Sequence, residues 1–350
     1  MMGKKKILVT GGAGYIGAHT VVELDSAGYE VVIVDNFSNS TPDVLDGLEK
    51  ITGKRHCFME LDCSDKEDMK RLFARHPDIS AAIHFAAYKA VGESVDKPLE
   101  YYKNNIDSLI CLLDELTREG RGGGVVFSSS CTVYGQPSAE NLPVSEIAPL
   151  QPATSPYGRT KQICEDILSD TSKASGGRLK AVALRYFNPI GAHPSALIGE
   201  LPRGVPQNLL PFVTQTAIGL RGELSVFGND YNTPDGSCIR DYIYVCDLAK
   251  AHVKAVDRLL CNSAQGSGDV EYFNLGTGKG LSVLEVVNLF MKATGVDVPY
   301  KIVGRRAGDV EKVWADPAKA NEVLGWRADT PLEDVFRSAW KWEQMVRQRL

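Results

Sequence analysis

The chain has 350 residues, 43% of them apolar, with a formal net charge of -5 and a pI near 5.8. That length predicts one large or two modest domains, and the apolar share supplies a sizeable core and excludes a disordered chain. No long basic run occurs, so neither nucleic acid nor an anionic membrane surface is expected as a partner, and no uncharged apolar run approaches a membrane span.

The first half alternates strand and helix. After three lysines, Ile7 to Val9 are too short an apolar run for a signal peptide and read as part of a first strand, "KILVT" (6–10). Over 14–27, Ile16, Thr20, Leu24 and Ala27 recur at helical spacing, with Gly28 as the stop. "YEVVIV" (29–34) predicts a second strand, and Thr41-Pro42 reads as the N-cap and first position of a helix. "HCFMEL" (56–61) predicts a third strand, followed by a polar helix through Arg75. "AAIHFA" (81–86) is the fourth, followed by a long helix over 98–119, and "GVVFSSS" (124–130) is the fifth. A helix carrying Tyr157 comes next, then "KAVALRYF" (180–187) as the sixth strand.

Continuous apolar strands separated by helices predict a parallel sheet covered on both faces. Right-handed crossovers make it a doubly wound (Rossmann) α/β fold. Beyond 189 the text turns to Gly-, Pro- and Asn-rich loops, with helices near 245–260, 282–294 and 331–346. The expected division is a dinucleotide-binding domain over 1–188 and a smaller C-terminal α/β substrate domain over 189–350, the chain crossing back near 242–256. The eight cysteines form no Cys-x-x-Cys and no zinc spacing with a histidine, so they read as reduced thiols of a cytoplasmic protein. The six histidines are scattered, and no metal site is expected.

"TGGAGYIG" (10–17) ends the first strand and opens the first helix. Gly12, Gly14 and Gly17 match G-x-G-x-x-G, and Gly11, Gly14 and Gly17 match G-x-x-G-x-x-G; the physics is the same for both. A tight turn lets backbone approach a pyrophosphate, whose charge lies at the helix N-terminus. Asp35 ends the second strand 18 residues past Gly17. A carboxylate there accepts from both ribose hydroxyls and repels a 2′-phosphate, which favours NAD over NADP.

Open α/β sheets bind ligands at the carboxyl ends of their strands. The third strand here ends in Asp62-Cys63, the fourth in Phe85-Ala86-Ala87-Tyr88-Lys89, the fifth in Ser128 to Thr132, and the sixth in Tyr186-Phe187-Asn188-Pro189. These segments are expected to converge on the cofactor crevice. "SPYGRTK" then places Tyr157 and Lys161 four residues apart, on one face of a helix. A lysine ammonium beside a phenol favours the phenolate, the form a proton acceptor needs.

These motifs, together with Asp35-Asn36 and "HFAAYKAVGES" (84–94), resemble the extended short-chain dehydrogenase/reductase family. "RYFNPIGAHP" (185–194), "VFGNDYNTPDGSCIRDYIYV" (226–245), "YFNLGTG" (272–278) and "WADPAKA" (314–320) resemble the branch whose members interconvert UDP-glucose and UDP-galactose. The resemblance runs from about residue 4 to the last helix. It implies a tightly bound NAD that takes hydride from C4 of the sugar and returns it to the other face of a 4-keto intermediate.

It also implies residue roles. Tyr157 is general base and then acid, and its phenol must fall roughly three units from ~10, about 4 kcal/mol, with Lys161 and the positive nicotinamide as sources. Lys161 also holds the nicotinamide ribose, and Ser130 and Thr132 bind the sugar 4-oxygen and relay its proton. The cofactor is lined by Gly11, Gly14, Tyr15, Ile16, Gly17, Asp35 and Asn36. Asp62 and Cys63 lie at adenine; Phe85, Ala86, Ala87 and Lys89 along the cofactor, with Asn104 and Ser128 nearby; and Tyr186 at the nicotinamide end. The UDP-hexose is expected against Lys89, Phe187, Asn188, Asn208, Leu209, Phe227, Arg240, Arg306 and Asp309, besides Ser130, Thr132 and Tyr157. Arginine suits a pyrophosphate by charge and fork geometry. A homodimer through the helices near 98–119 and 156–172 is likewise implied.

Tyr88, Cys131 and Val313 depart from common choices of the family. A small residue at Val313 is linked by the resemblance to N-acetylhexosamine nucleotides, and valine is intermediate. Nucleotide-sugar dehydratases and decarboxylases share the scaffold but place an extra carboxylate after the fifth strand, where "SSSCTVYG" has none. A net dehydrogenase of apolar substrates would want an apolar second half, and a non-catalytic NAD-binding relative would be expected to lose Tyr157 or Lys161.

Overall fold

The computed structural model describes residues 4–119, 121–261, 269–306 and 309–349. The first half runs β1 (Lys6–Thr10), α1 (Tyr15–Ser26), β2 (Glu30–Asp35), α2 (Asp43–Thr52), β3 (Cys57–Glu60), α3 (Lys66–Arg75), β4 (Ile79–His84), α4 (Val91–Asp96), α5 (Pro98–Thr117), β5 (Gly123–Ser130), α6 (Pro156–Ala174) and β6 (Leu179–Tyr186). Then follow β7 (Asn188–Ile190), α7 (Leu209–Ala217), β8 (Leu224–Phe227), β9 (Ile239–Tyr244), α8 (Val245–Leu260), β10 (Glu271–Leu275), β11 (Gly280–Ser282), α9 (Val283–Thr294), β12 (Tyr300–Val303), β13 (Lys312–Val313), α10 (Ala318–Val323) and α11 (Leu332–Arg349).

A seven-stranded sheet in the order β10-β6-β5-β4-β1-β2-β3 forms the centre. Every neighbouring pair is parallel. Side chains of a strand alternate between faces, so both faces of a buried strand are apolar. In β1, Ile7 and Val9 join Val21 and Leu24 of α1 and Leu248 and Ala255 of α8 on one face. Leu8 joins Leu72 of α3, Leu112 of α5 and Leu168 of α6 on the other. This is the doubly wound Rossmann arrangement read from the sequence. Because β1 lies between β2 and β4, the winding reverses beside its carboxyl end, which is where such sheets open a ligand crevice.

The smaller part holds a sheet in which β9 pairs with β11, β13 and β7, and a separate parallel pair, β12-β8. Its core joins Val286 and Phe290 of α9 to Val335 and Phe336 of α11. The chain crosses back further than the span near 242–256 suggests: α8 packs on the central sheet, and β10 becomes its seventh strand, from Glu271 opposite Val182 to Leu275 opposite Tyr186. The apolar run of β10 is interrupted by Asn274, which conceals it in the sequence. Buried Asn274 is satisfied by Tyr134 Oη, which donates to Oδ1 (2.7 Å), and by Val144 O, which accepts from Nδ2 (2.8 Å). Helix α2 starts one residue later than expected: Pro42 holds the cap position and no side chain caps there.

Beneath the crevice, Arg185 of β6 and Glu165 of α6 form a buried ion pair at 2.6 Å, with side chains 5% and 4% exposed. Glu165 Oε1 also accepts from Ser129 Oγ (2.5 Å), so the pair ties α6 to two strands where they deliver the site. Removing one partner of such a pair leaves an uncompensated charge, a cost of about 3–5 kcal/mol. Glu165→Leu is expected to lower the unfolding free energy by that amount in urea titrations, and adding Arg185→Met should recover most of it. A loss in the double variant equal to that of the single one would show that the ion pair is not its source.

Candidate active site

The helix that carries the Tyr-Lys pair is capped by its own sequence. Ser155 Oγ accepts from Gly158 N (3.1 Å) and Pro156 occupies the first helical position, where a missing N–H costs nothing. Tyr157 therefore lies in the first turn and Lys161 one turn further on. Lys161 is 3% exposed; its Nζ donates to Ser128 O (2.6 Å) and lies 4.8 Å from the Phe127 ring centroid and 5.9 Å from that of Tyr157. Burial lowers the Lys161 ammonium to about 8. In the protein alone the Tyr157 phenol does not move down, as the Tyr-Lys spacing suggests. Burial pushes it up to about 12, and a hydrogen bond with Ser130 pulls more weakly the other way. Desolvation outweighs the lysine, which stands beside the ring and donates to a backbone carbonyl.

Ser130 closes β5 and starts a single 3-10 turn, Cys131–Tyr134, by accepting from Thr132 N at 3.2 Å. The Thr132 hydroxyl is buried and has no partner. Such a group costs about 1–3 kcal/mol unless something pairs with it, which marks a ligand position. Ser128 Oγ bonds Tyr186 Oη, and burial raises the Tyr186 phenol well above its ordinary value. His84, under the crevice, is held neutral: Thr10 Oγ1 lies 2.8 Å from Nδ1, and burial drops the imidazole to about 3.

The glycine loop fits a pyrophosphate. Gly11 adopts φ +67°, a left-handed conformation that favours glycine, and a Cβ there would stand 2.9 Å from Ala86 N. At Gly17 a Cβ would collide with Gly11 O, so α1 starts hard against the turn and both glycine spacings describe one loop. Asp35 is 8% exposed and accepts from Ala13 N (3.0 Å), Phe37 N (2.9 Å) and Ser40 Oγ (2.9 Å). That leaves about one of its roughly four acceptor sites for a ribose. Asn36 Nδ2 reaches Asp62 Oδ2 at 3.5 Å, and Asp62 Oδ1 accepts from Ser64 N at 2.8 Å. Cys63 is buried.

Phe85, Ala86 and Ala87 are half-buried at the end of β4. Asn104 Nδ2 donates to Asn105 Oδ1 at 3.0 Å. Tyr15 Oη donates to Gly191 O (2.6 Å), and Ile16 packs against two core clusters. These residues fit a dinucleotide: a side-chain-free cradle, a carboxylate with spare capacity and an apolar strand end.

Opposite them lie the residues expected for a nucleotide sugar. Arg306 Nη2 is 2.7 Å and Arg240 Nη2 3.9 Å from Asp309 Oδ1, and the Arg306 guanidinium lies 5.5 Å from the centroid of exposed Phe227. Arg240 stands in β9 opposite Val313, and Asn188 starts β7 against Tyr242. Val313 is 6% exposed and packs with Val133, Tyr134 and Phe187. Asn208 and Leu209 form the start of α7.

Several residues that position this site escaped the sequence reading. Glu200 Oε1 accepts from Lys89 Nζ (2.8 Å) and from Asn208 Nδ2 (2.6 Å), so a carboxylate joins two expected ligands. Asp241, fully buried next to Arg240, accepts from Thr277 N and Oγ1, Gly278 N and Ala315 N. Asn105 bonds both Tyr88 N and Tyr88 O, and donates to Thr160 Oγ1. A carboxylate beside an arginine in a loop-rich segment was the available signal for Asp241. Asn105 is one of two adjacent asparagines, and the helix period favours it as the inward one. Among the described residues no cluster of His, Cys, Asp and Glu could hold a metal, and no helix is long and apolar enough to cross a membrane.

Residues 8–339 match the family model described as GDP-mannose 4,6 dehydratase. The chain is 51% identical over 340 residues to a UDP-glucose 4-epimerase of Dictyostelium discoideum, covering 97% of this chain and 96% of that one. A UDP-glucose 4-epimerase of Stenotrophomonas maltophila, solved with NAD and formylated UDP-arabinopyranose, superposes with a TM-score of 0.93 at 46% identity, over 99% of this chain and all (100%) of that one. One from Bifidobacterium longum, in complex with NAD+ and UDP, gives 0.92 at 45% identity, over 99% and 100%.

Lys161 carries a pH dependence whose sign can be worked out. Its folded value, about 8, lies below the ordinary 10.5, so between these the unfolded chain binds more protons and stability rises with pH. The difference in unfolding free energy, wild type minus Lys161→Met, is therefore expected to be flat below pH 8 and to climb towards pH 10.5. Thermal or urea unfolding across that range measures it; a level difference throughout would mean that the ammonium is not held buried.

Proposed function

We infer, from the premise that the chain belongs to the UDP-glucose 4-epimerases within the family of that dehydratase model, that it is an NAD-dependent isomerase interconverting UDP-glucose and UDP-galactose. One observation carries the reading. Tyr157, Lys161, Ser130 and the unpartnered Thr132 hydroxyl stand together at a strand end that carries no carboxylate. An elimination of the dehydratase kind wants a further acid or base there; an epimerisation needs only a proton taken and given back.

NAD supplies acceptance of hydride from the sugar C4 and its return to the opposite face. The chain does the rest. Tyr157 takes the proton of the 4-hydroxyl and restores it, work that general acid–base groups do for roughly 10²–10⁴ in rate. Its phenol, near 12 in the protein alone, needs positive charge beside it to become a base at neutral pH; Lys161 Nζ, 5.9 Å from the ring centroid, and the nicotinamide are the groups we read in that part. Thr132 has a free donor for the sugar 4-oxygen and Ser130 bonds the phenol, which supports a relay between them. Arg240 and Arg306 suit the diphosphate, with Asp309 orienting both.

The burial of Val313 beside Phe187 favours a packing role, so N-acetylated sugars are not part of this reading. We also read the chain as a homodimer. The face formed by α5 and α6 supports this, because α5 exposes Leu99 (81%) and Ile110 (41%). Eight unpaired cysteines support a cytoplasmic setting.

Purified protein with no added cofactor is expected to convert UDP-galactose to UDP-glucose without accumulating reduced NAD. Stoichiometric reduced NAD, or a deoxy-keto sugar as product, would sink the assignment. Tyr157→Phe should keep the fold and the bound NAD while losing roughly 10²–10⁴ in kcat. Near-normal turnover of that variant would remove Tyr157 from its role.

A further inference from the structure

The segment from Glu200 to Asn208 touches both halves of the molecule. At one end Glu200 is fixed through its backbone, since Trp342 Nε1 donates to Glu200 O at 2.8 Å, and its carboxylate reaches across to Lys89, next to the end of β4. Three residues on, Arg203 spans the crevice mouth to the loop that follows β2. Its Nη1 donates to Ser38 O (2.8 Å), and its Nη2 to Phe37 O (2.9 Å) and Ser40 O (2.5 Å). A guanidinium offers a rigid planar fork of donors, so its hold on the three carbonyls is fixed in direction, whereas a lysine ammonium is a compact point charge on a flexible stem.

The loop it holds is unusual. Phe37 has φ +54°, a conformation that a bulky residue keeps only when its surroundings impose it. Asp35 imposes it from inside, accepting from Phe37 N and Ser40 Oγ; Arg203 imposes it from outside. Asp35 is the carboxylate read here as the ribose acceptor, so the loop clamped by Arg203 is the one that borders the adenosine end. Three of the five guanidinium donors are given to these carbonyls, so Arg203 binds the loop itself.

We propose that residues 200–208 form a strap that retains the dinucleotide, anchored on the sheet side by Glu200–Lys89 and across the crevice by Arg203 on the Phe37–Ser40 carbonyls. Arg203 acts as a positioning residue: it holds the wall of the cofactor site and touches no reacting atom. An isomerase that regenerates its cofactor each turnover gains nothing from exchanging it, so a strap is consistent with the reading on which this inference rests, that the site binds NAD.

The test is retention. Wild type, Arg203→Lys and Arg203→Ala are dialysed against NAD-free buffer, and NAD released from acid-denatured samples is measured with time. Arg203→Ala is expected to lose NAD roughly ten-fold faster, the loss being in the off-rate, with Arg203→Lys between the two. Activity should fall in step with NAD content and return on adding NAD. Retention equal to wild type in Arg203→Ala overturns the strap, as does loss of activity that added NAD does not restore. A wild type that is purified empty and inactive refutes the underlying reading of the site, and the strap with it, before any variant is compared.

Discussion

The site depends on a positive charge kept out of water. The Lys161 ammonium, 3% exposed, is held against the backbone carbonyl of Ser128. Burial of a cation is unfavourable, and the fall of Lys161 to about 8 measures that reluctance. The carbonyl offsets part of it and in doing so binds α6 to β5 at the last residues of that strand. Tyr157 is positioned from the helix and Ser130 and Thr132 from the strand end, so the same bond sets their spacing. Glu165 and Arg185 repeat the device one layer lower, tying α6 to β5 and β6 where no solvent reaches.

Polar groups inside this protein separate into two sets. Most are closed: His84, Asp241, Asn105 and Asn274 have partners for their buried atoms and act as pins between elements. A few are open, among them the Thr132 hydroxyl in the turn that follows β5. The distinction is physical, because a closed network rigidifies the structure whereas an open donor holds binding energy in reserve. Tyr157 belongs to neither set: its phenol bonds Ser130, yet burial governs its titration. Burial lifts its phenol to about 12, so in the protein by itself the group keeps its proton at neutral pH.

Much of the sheet was legible in the sequence. β1, β2, β4, β5 and β6 announced themselves because parallel strands buried on two faces are written as apolar runs such as "ILV" and "VVIV", whereas β3, at the sheet edge, is only partly buried. The glycine loop was legible for a similar reason: backbone brought against backbone demands glycine. The same rule hid β10, whose fourth residue, Asn274, is polar and buried. The region beyond 189 was harder, because β7, β11 and β13 are two or three residues long and their partners are distant in sequence. Glu200, Arg203 and Asp241 are ordinary surface residues by composition; only the fold brings their charges to Lys89, to the Phe37–Ser40 loop and to the Thr277 turn.

The return of β10 to the central sheet orders events during synthesis. Its strand covers one edge of β6, pairing along Val182 to Tyr186, and α8 just before it covers one face of the same sheet. Until residue 275 has left the ribosome, the nascent sheet carries a bare edge at β6 and an uncovered apolar face, although β1 to β6 are all present. The nucleotide-binding sheet is therefore completed only after part of the second half has been made, because it waits for α8 and β10.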